Sequence, residues 1–416
     1  MSVILPHRIV RMTGRDPHES GRTSTPLELL FDLAFVVAFS QAGDQVAHLL
    51  AEGHIGAAVG GFLFAAASIC WAWINFAWFA SGFDTDDWVF RALTMVQMAG
   101  VIVLALGVAP LFESIDHGEP FNNSVLVAGY VVMRVAMVAQ WLRAASQSPD
   151  YRRTALTYAA SILIAQIGWI VLAAMQTTSV ATVIALATAL YGIELIGPLI
   201  AKHRWGLPWH AEHIAERYGL LLIITLGEVI LGTIAAVRSA VEHVGWSQES
   251  ILLVIAGTLL AFGVWWCYFF VPFATFIELH RERAWVFGYG HILVFSAIAA
   301  FGGGLHVAAY VIEGEATIGV VGAVVTVVAP LALFTLAYFA IYSALIKRVD
   351  SFHLGLVGGM FLVMALAIVA ANSGVSLGWC LVIAAVAPFV TVVGYEWVGY
   401  RHVAADVDRV EREIRS

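Results

Sequence analysis

The sequence predicts an all-α, polytopic membrane protein with about 12 transmembrane helices. Three observations carry this: a composition too apolar for a soluble domain, repeated apolar runs of spanning length, and basic residues confined to alternate connections. Of 416 residues, 61% are hydrophobic and only 12% charged, against roughly 25% charged in soluble domains. The formal charge of −8 says little about nucleic acid, and no basic cluster argues for it. Cys70, Cys267 and Cys380 lie far apart in apolar runs, match no zinc or redox spacing, and read as buried thiols. Long runs without period-two alternation exclude a β-barrel.

A helix crosses a hydrocarbon core in about 20 apolar residues. On that ruler the first span is 27–50, preceded by a polar stretch that leads straight into it, so no secretory signal peptide is read. The next five are 55–80, 89–112, 121–145, 154–176 and 178–201, the last two parted only by "QTTS". Six more follow at 213–237, 250–273, 285–311, 318–346, 352–372 and 375–399. Arg8, Arg11, Arg15 and Arg22 precede the first span, and every second connection is then basic: Arg91, "RAASQSPDYRR", "KHRWGLPW", "ELHRERA", "IKRVDSF" and the tail "RHVAADVDRVEREIRS". Of the 21 Lys and Arg, only Arg238 falls on the other side, while Arg134 and Arg217 lie within spans. One missed span would scramble that bias, so it supports the helix count. It also places both termini in the cytoplasm.

An internal echo suggests duplication. "WAWINFAWFASGFDTDDWVFR" (71–91) resembles "VWWCYFFVPFATFIELHRERAWVF" (264–287), and "LYGIELIGP" resembles "VGYEWVGY", pairing Glu194 with Glu396. The expected organisation is a tail (1–24), a six-helix repeat (25–201), a connection (202–212), a second six-helix repeat (213–399) and a tail (400–416). An even number of helices per unit gives two parallel repeats.

The chemistry starts in "TPLELLFDLAFVVAFSQAGDQVAHLL" (25–50), where Glu28, Asp32, Asp44 and His48 stand with Gln41 and Gln45 in one span. Each ionised carboxylate near a bilayer centre costs about 2.5–3.5 kcal/mol. Glu28 and Asp32 share one helix face, and Gln41, Asp44 and His48 share another, nearly opposite. Either protein wraps both sides of a straight helix, or the helix bends or unwinds near Gly43. In the seventh span His213, Arg217 and Glu228 fall within about 60° in projection. Arg217 to Glu228 covers roughly 16 Å, a polar stripe from the cytoplasmic end toward the midplane. Glu228 lies past the helix midpoint, too deep to snorkel. His210, Glu212 and His213 also suit the headgroup region.

Arg134 sits mid-span and needs a carboxylate from another helix, Glu228 and Glu194 being the leading candidates. The span-associated acids Glu28, Asp32, Asp44, Glu194, Glu216, Glu228 and Glu396 outnumber Arg134 and Arg217. Some must therefore be protonated or compensated by a cation, which is the physical case for proton or cation coupling. His291 and His306 lie more than about 20 Å apart along one helix and cannot share a metal. Each reads first as a hydrogen-bonded core histidine, and second as part of a metal or haem site with other helices. No metal is assigned, and the cofactor is left open. "GGG" (302–304) either breaks its helix or packs closely, and Gly56/Gly60 and Gly355/Gly359 are GxxxG pairs suited to close helix approach. The Trp-rich second and eighth spans read as interfacial belts and packing. There is no P-loop, dinucleotide fingerprint, nucleophile elbow or HExxH.

"TPLELLFDLAFVVAFSQ" followed by "HLL", together with "HIAERYGLLLIITLGEVIL", resembles the bacterial low temperature requirement A membrane-protein family over most of the chain. Carried over by position, the resemblance singles out Glu28, Phe31, Asp32, Gln41 and His48 in the first helix, and His213, Glu216, Arg217, Gly227 and Glu228 in the seventh. Ala34, Phe39 and Asp44 depart from the family pattern. The resemblance implies a fold class and candidate residues, not a reaction or substrate. Two functional classes remain. One is a secondary transporter for an ion or small solute, with proton coupling through buried acids. The other is an integral membrane enzyme or cofactor protein acting on a lipid-soluble substrate, which stoichiometric iron, zinc or a haem band in purified protein would reveal. Partners are the bilayer and a small solute or ion, with no nucleic acid; oligomeric state is not readable.

The topology is tested by fusions. A reporter active only outside the cytoplasm is expected to work at Asn122 and to fail after Ser146. The reverse pattern inverts the orientation, and two active fusions remove the fourth span.

Overall fold

The computed structural model describes residues 9–118, 120–177 and 179–415. Arg8, Thr178 of the "QTTS" connection and Ser416 lie outside them. Among the described residues there is no strand, and 12 helical segments are long and apolar enough to cross a membrane. In chain order they are built from α1 (Pro26–Glu52), α2 (Ile55–Phe83), α3 (Trp88–Leu106) with α4 (Val108–Asp116), α5 (Ser124–Gln147), α6 (Arg152–Met175) and α7 (Val180–Trp205). Then come α8 (Ala211–Val244), α9 (Gln248–Phe269) with α10 (Phe273–Leu279), α11 (Ala284–Glu313), α12 (Val320–Ile346) and α13 (Ser351–Asn372). The last is α14 (Leu377–Gly394), which runs through a π-helical turn, Tyr395–Gly399, into α15 (Tyr400–Arg415).

Local chemistry sets the boundaries. Asp87 caps α3 by accepting from the Phe90 amide at 2.9 Å, supplying a partner for an otherwise orphan donor. Asp350 caps α13 through the Phe352 amide at 3.1 Å. α6 stops where Gln176 turns left-handed, at φ +43°, which separates the two spans that "QTTS" barely divides. The eighth span is interrupted before Phe273 because Pro272 has no N–H to continue the ladder.

The chain forms two compact units. Unit 1 takes in residues up to Gln41 and Ala67–Arg217; unit 2 takes in Ala42–Ala66 and everything from Tyr218. In unit 1 the core is aromatic. Phe31 stacks on Phe76 with centroids 3.9 Å apart, Trp141 stacks on Tyr158 at 4.2 Å, and Phe79 meets Trp141 edge-on at 4.7 Å. Trp71, Trp73 and Trp78 of α2 are buried here, so this Trp-rich helix is packing and not a belt. Trp265 and Trp266 of α9 point outward, as a belt requires.

Glycines let backbones touch. A Cβ on Gly129 of α5 would lie 2.2 Å from the Leu104 nitrogen of α3, and one on Gly107, between α3 and α4, 2.2 Å from the Leu126 nitrogen. In unit 2, α11 is unbroken through its triple glycine, which packs instead: a Cβ on Gly303 would sit 2.9 Å from the Gly43 carbonyl oxygen, and one on Gly304 2.5 Å from that of Thr326. α1 is likewise continuous through Gly43, so the bend or unwinding considered for it does not occur. The Gly56/Gly60 pair has nothing within 4 Å of either added Cβ, nor has Gly355. Gly56/Gly60 is therefore not a close-approach site, and the second motif is one at a single position. Of the four glycines only Gly359 meets a neighbour, the Val390 side chain at 2.8 Å.

Substituting Gly129→Leu forces apart two backbones that no rotamer change relieves, so folded yield in detergent is expected to fall steeply; milder overpacking costs about 1–3 kcal/mol. Gly60→Leu, facing open space, is expected to leave yield within experimental scatter. Equal yields would mean that the α3–α5 contact is looser than described.

Candidate functional site

The first two turns of α1 and of α8 bring four ionisable side chains together inside unit 1. Glu28, Asp32, His213 and Arg217 are each 0% exposed. They meet because both pairs sit at i, i+4, one above the other on a helix face. Arg217 donates from Nη2 to Asp32 Oδ1 at 2.6 Å, and its Nη1 lies 3.7 Å from Glu28 Oε1. His213 Nε2 is 3.1 Å from Glu28 Oε1 and 3.3 Å from Oε2. Trp73 of α2 donates its indole N–H to the same Asp32 oxygen at 2.7 Å, and its ring lies 5.6 Å from the guanidinium carbon. At the entrance Thr25 donates both its amide and its hydroxyl to Glu28 Oε2, at 2.8 and 3.0 Å.

Charge decides what this cluster can do. With imidazole neutral, two carboxylates face one guanidinium and the enclosed group carries one net negative charge. Glu28 Oε1, Asp32 Oδ2, His213 Nδ1 and Arg217 Nε and Nη1 are buried without a hydrogen bond. Burying an uncompensated charge is costly, so one proton, on the imidazole or on a carboxylate, brings the cluster to balance.

A second buried cluster in unit 1 provides the contrast. Arg134 of α5 donates from Nη2 to Glu194 Oε2 of α7 at 2.8 Å and to Tyr130 Oη at 2.6 Å. Tyr130 donates its hydroxyl to Glu194 at 2.6 Å, while Gln166 and Trp169 each donate to Oε1 at 3.1 Å. Of the two partners expected for Arg134, Glu194 is the one it meets. One cation meets one anion whose oxygens are saturated with donors, so this cluster is electrically balanced, although Arg134 Nε and Gln166 Oε1 are buried without a hydrogen bond.

The remaining candidates are scattered. Gln41 and His48 are exposed, and Glu396 is exposed in the π-helical turn, unlike its sequence counterpart Glu194. Glu216 is half-buried and accepts from the Ser24 amide at 3.2 Å. Glu228 is half-buried in the part of α8 that belongs to unit 2. Asp44 is half exposed and lies 3.1 Å from His306 Nδ1 in unit 2. His291 is buried, and both ring nitrogens are engaged: Nδ1 donates to the Phe287 carbonyl at 2.7 Å, which leaves Nε2 to accept from the Tyr268 hydroxyl at 2.8 Å. These are the contacts of a hydrogen-bonded core histidine.

Sequence reasoning missed Trp73, Thr25, Tyr130 and Asp84. The spacing of Tyr130 one turn before Arg134 was a usable signal, as was Thr25 three residues before Glu28. Nothing in the sequence points to Trp73. Asp84, in the connection after α2, is buried 3.5 Å from the Arg22 guanidinium. Burial first, and then the negative charge of Glu28, push its carboxyl up to about 6, against the pull of Arg22. Its neighbour Asp87 goes the other way. Burial raises it, but the Arg143 guanidinium and the Phe90 and Val10 amides outweigh that and hold it down to about 2.

A family model described as "Bacterial low temperature requirement A protein" matches residues 23–388. An uncharacterized protein of Rhizobium meliloti (strain 1021) is 29% identical over 251 residues, which cover 58% of this chain and 57% of that protein. The match thus spans little more than half the length of this curated relative. No solved structure matches.

Two outcomes follow from these geometries. Arg134→Ala leaves Glu194 buried and unpaired, so it is expected to cost about 3–5 kcal/mol and most of the folded yield, with partial recovery in the double variant that also carries Glu194→Gln. Unchanged thermal stability in the single variant would mean that Arg134 reaches water. For Asp84, the folded protein holds the proton more tightly than the unfolded chain. Its contribution to stability is therefore full below about pH 4 and is lost as pH rises through about 6. Relative to Asp84→Asn, the wild-type unfolding temperature is expected to fall between pH 4 and pH 7; parallel curves would contradict the assignment.

Proposed function

We propose that this chain, which belongs to the bacterial low temperature requirement A family, is a secondary transporter of the bacterial cytoplasmic membrane that moves a small solute or ion with proton coupling at the Glu28–Asp32–His213–Arg217 cluster. The observation that carries this reading is the charge count. A fully enclosed group of two acids, one base and one imidazole is neutral only after taking up a proton, and its buried polar atoms are incompletely paired. Intramembrane ionisable groups arranged this way mark ion pathways and proton relays.

Three further features support it. Twelve candidate spans with basic residues confined to alternate connections fit a multi-pass carrier with both termini inside. The two Trp-Val-Phe segments have one burial pattern, Trp88 and Trp285 outward, Phe90 and Phe287 at 0% exposure, as a duplicated unit would. The balanced Arg134–Glu194 cluster has no charge to gain and serves as a brace. Glu228, where the sequence alone placed coupling, is half-buried and apart from Arg217 in unit membership, so the proton is assigned to Glu28 and His213.

Uptake into vesicles, or rescue of a growth defect in a deletion strain, tests this reading across external pH. Glu28→Gln and His213→Gln are expected to fold, to lose at least about tenfold in activity, the scale of a general acid–base contribution, and to lose pH dependence. Glu228→Gln is expected to keep it. Normal pH-dependent activity in both Glu28→Gln and His213→Gln overturns the assignment, and loss in Glu228→Gln alone transfers it to that residue.

A further inference from the structure

We infer that residues 9–25 are a gate: a strap lying over the buried cluster, whose seat is set by the charge on Glu28. This rests on the proton-coupling reading and adds to it the element that opens.

The strap has no helix and is fixed by single polar contacts to several parts of unit 1. The Val10 amide donates to Asp87 Oδ2 at 3.0 Å, Met12 to Gln147 Oε1 at 2.7 Å, Gly14 to Ser148 Oγ at 3.3 Å and Arg15 to the Gly82 carbonyl at 2.9 Å. The Glu19 carbonyl meets His210 Nε2 at 2.8 Å, Arg22 donates to the Ala80 carbonyl at 3.3 Å, and the Ser24 amide donates to Glu216. A Cβ on Gly14 would stand 2.4 Å from the Tyr151 ring, so the strap lies against the unit with no side chain between. Segments held this way, with few apolar contacts, belong to the part of a fold that opens at low cost. Glu28 and His213 are fully enclosed beneath it. No proton reaches them from solution unless something around them moves, and the strap is the part of that surrounding held without a helix.

The strap joins the cluster at one carboxylate. Thr25 caps α1 with Pro26 in the first helical position. Its hydroxyl accepts from the Glu28 amide at 3.3 Å while the Glu28 side chain returns to the Thr25 amide at 2.8 Å, a capping box. The same Glu28 side chain faces His213 and Arg217. An ionised carboxylate has acceptor sites enough for both sides, whereas a protonated one keeps a donor and fewer acceptors, and charge-assisted bonds are roughly twice as strong as neutral ones. Protonation at Glu28 therefore weakens the seat of the strap. The other charged groups around it are Arg22 and Asp84, which compensate each other at 3.5 Å, and Glu216, Glu19 and His210 at the rim.

Amide hydrogen exchange of the full protein in lipid nanodiscs tests the gate. In Glu28→Gln the Arg15, Ser24 and Thr25 amides are expected to exchange about fivefold faster than in the wild type, the factor a lost cap is worth, while α5 and α6 stay as protected as before. Should Glu28→Gln not fold, Thr25→Ala removes the capping hydroxyl and leaves the carboxylate, with the same change expected. Unchanged strap protection in either folded variant overturns the gate. If Glu28→Gln loses pH-dependent uptake while the strap stays protected, the gate fails and the transport reading stands. A loosened strap with normal pH-dependent uptake supports the link from Glu28 to the strap and removes the assignment of proton coupling to Glu28 instead.

Discussion

Unit 1 buries two arginines within its spans, Arg134 and Arg217, and the difference between their surroundings organises its chemistry. A guanidinium cannot shed its charge, so each must be met by anions brought from other helices. Arg134 meets one, Glu194, whose oxygens also take a phenol, an amide and an indole. Arg217 meets two, Asp32 and Glu28, and the second acid is shared with an imidazole. The first arrangement is finished. The second is one positive charge short, and a proton is the smallest thing that completes it.

The fold holds one side of that cluster rigidly and leaves the other soft. Asp32 and Arg217 sit a turn deeper than Glu28 and His213, against Trp73, in a unit whose buried core includes the stacked rings of Phe31 and Phe76. Close-packed aromatic surroundings do not yield easily. Glu28, by contrast, lies in the first turn of α1 and is tied to an irregular strap by hydrogen bonds alone. A change of charge at Glu28 has somewhere to go, whereas one at Asp32 has not. Asp84 and Arg22 lie alongside, in a buried pair of their own, and burial pushes the carboxyl up to about 6.

Much of this was legible in the sequence, for identifiable reasons. Spans follow from run length and from the basic connections, which is why all 12 have their helices. The pairing of Glu28 with Asp32, and of His213 with Arg217, follows from i, i+4 spacing. That the two pairs face each other does not, because it depends on how α1 and α8 pack. Counting depth along α8 favoured Glu228, but depth along a helix says nothing about which side is enclosed. The triple glycine and Gly43 were ambiguous for a related reason: glycine permits both a break and a close contact, and the helix on the other side decides. Gly56 and Gly60 have the right spacing and no helix opposite.

The central claim is that the Glu28 cluster takes up one proton and the Arg134 cluster none. Infrared difference spectra of the purified protein in lipid, recorded between alkaline and acidic buffer, read this directly through carboxyl and imidazole bands. The account predicts a protonation signal that is lost in Glu28→Gln and retained in Glu194→Gln. A signal that survives Glu28→Gln unchanged, or that disappears only with Glu194→Gln, contradicts it.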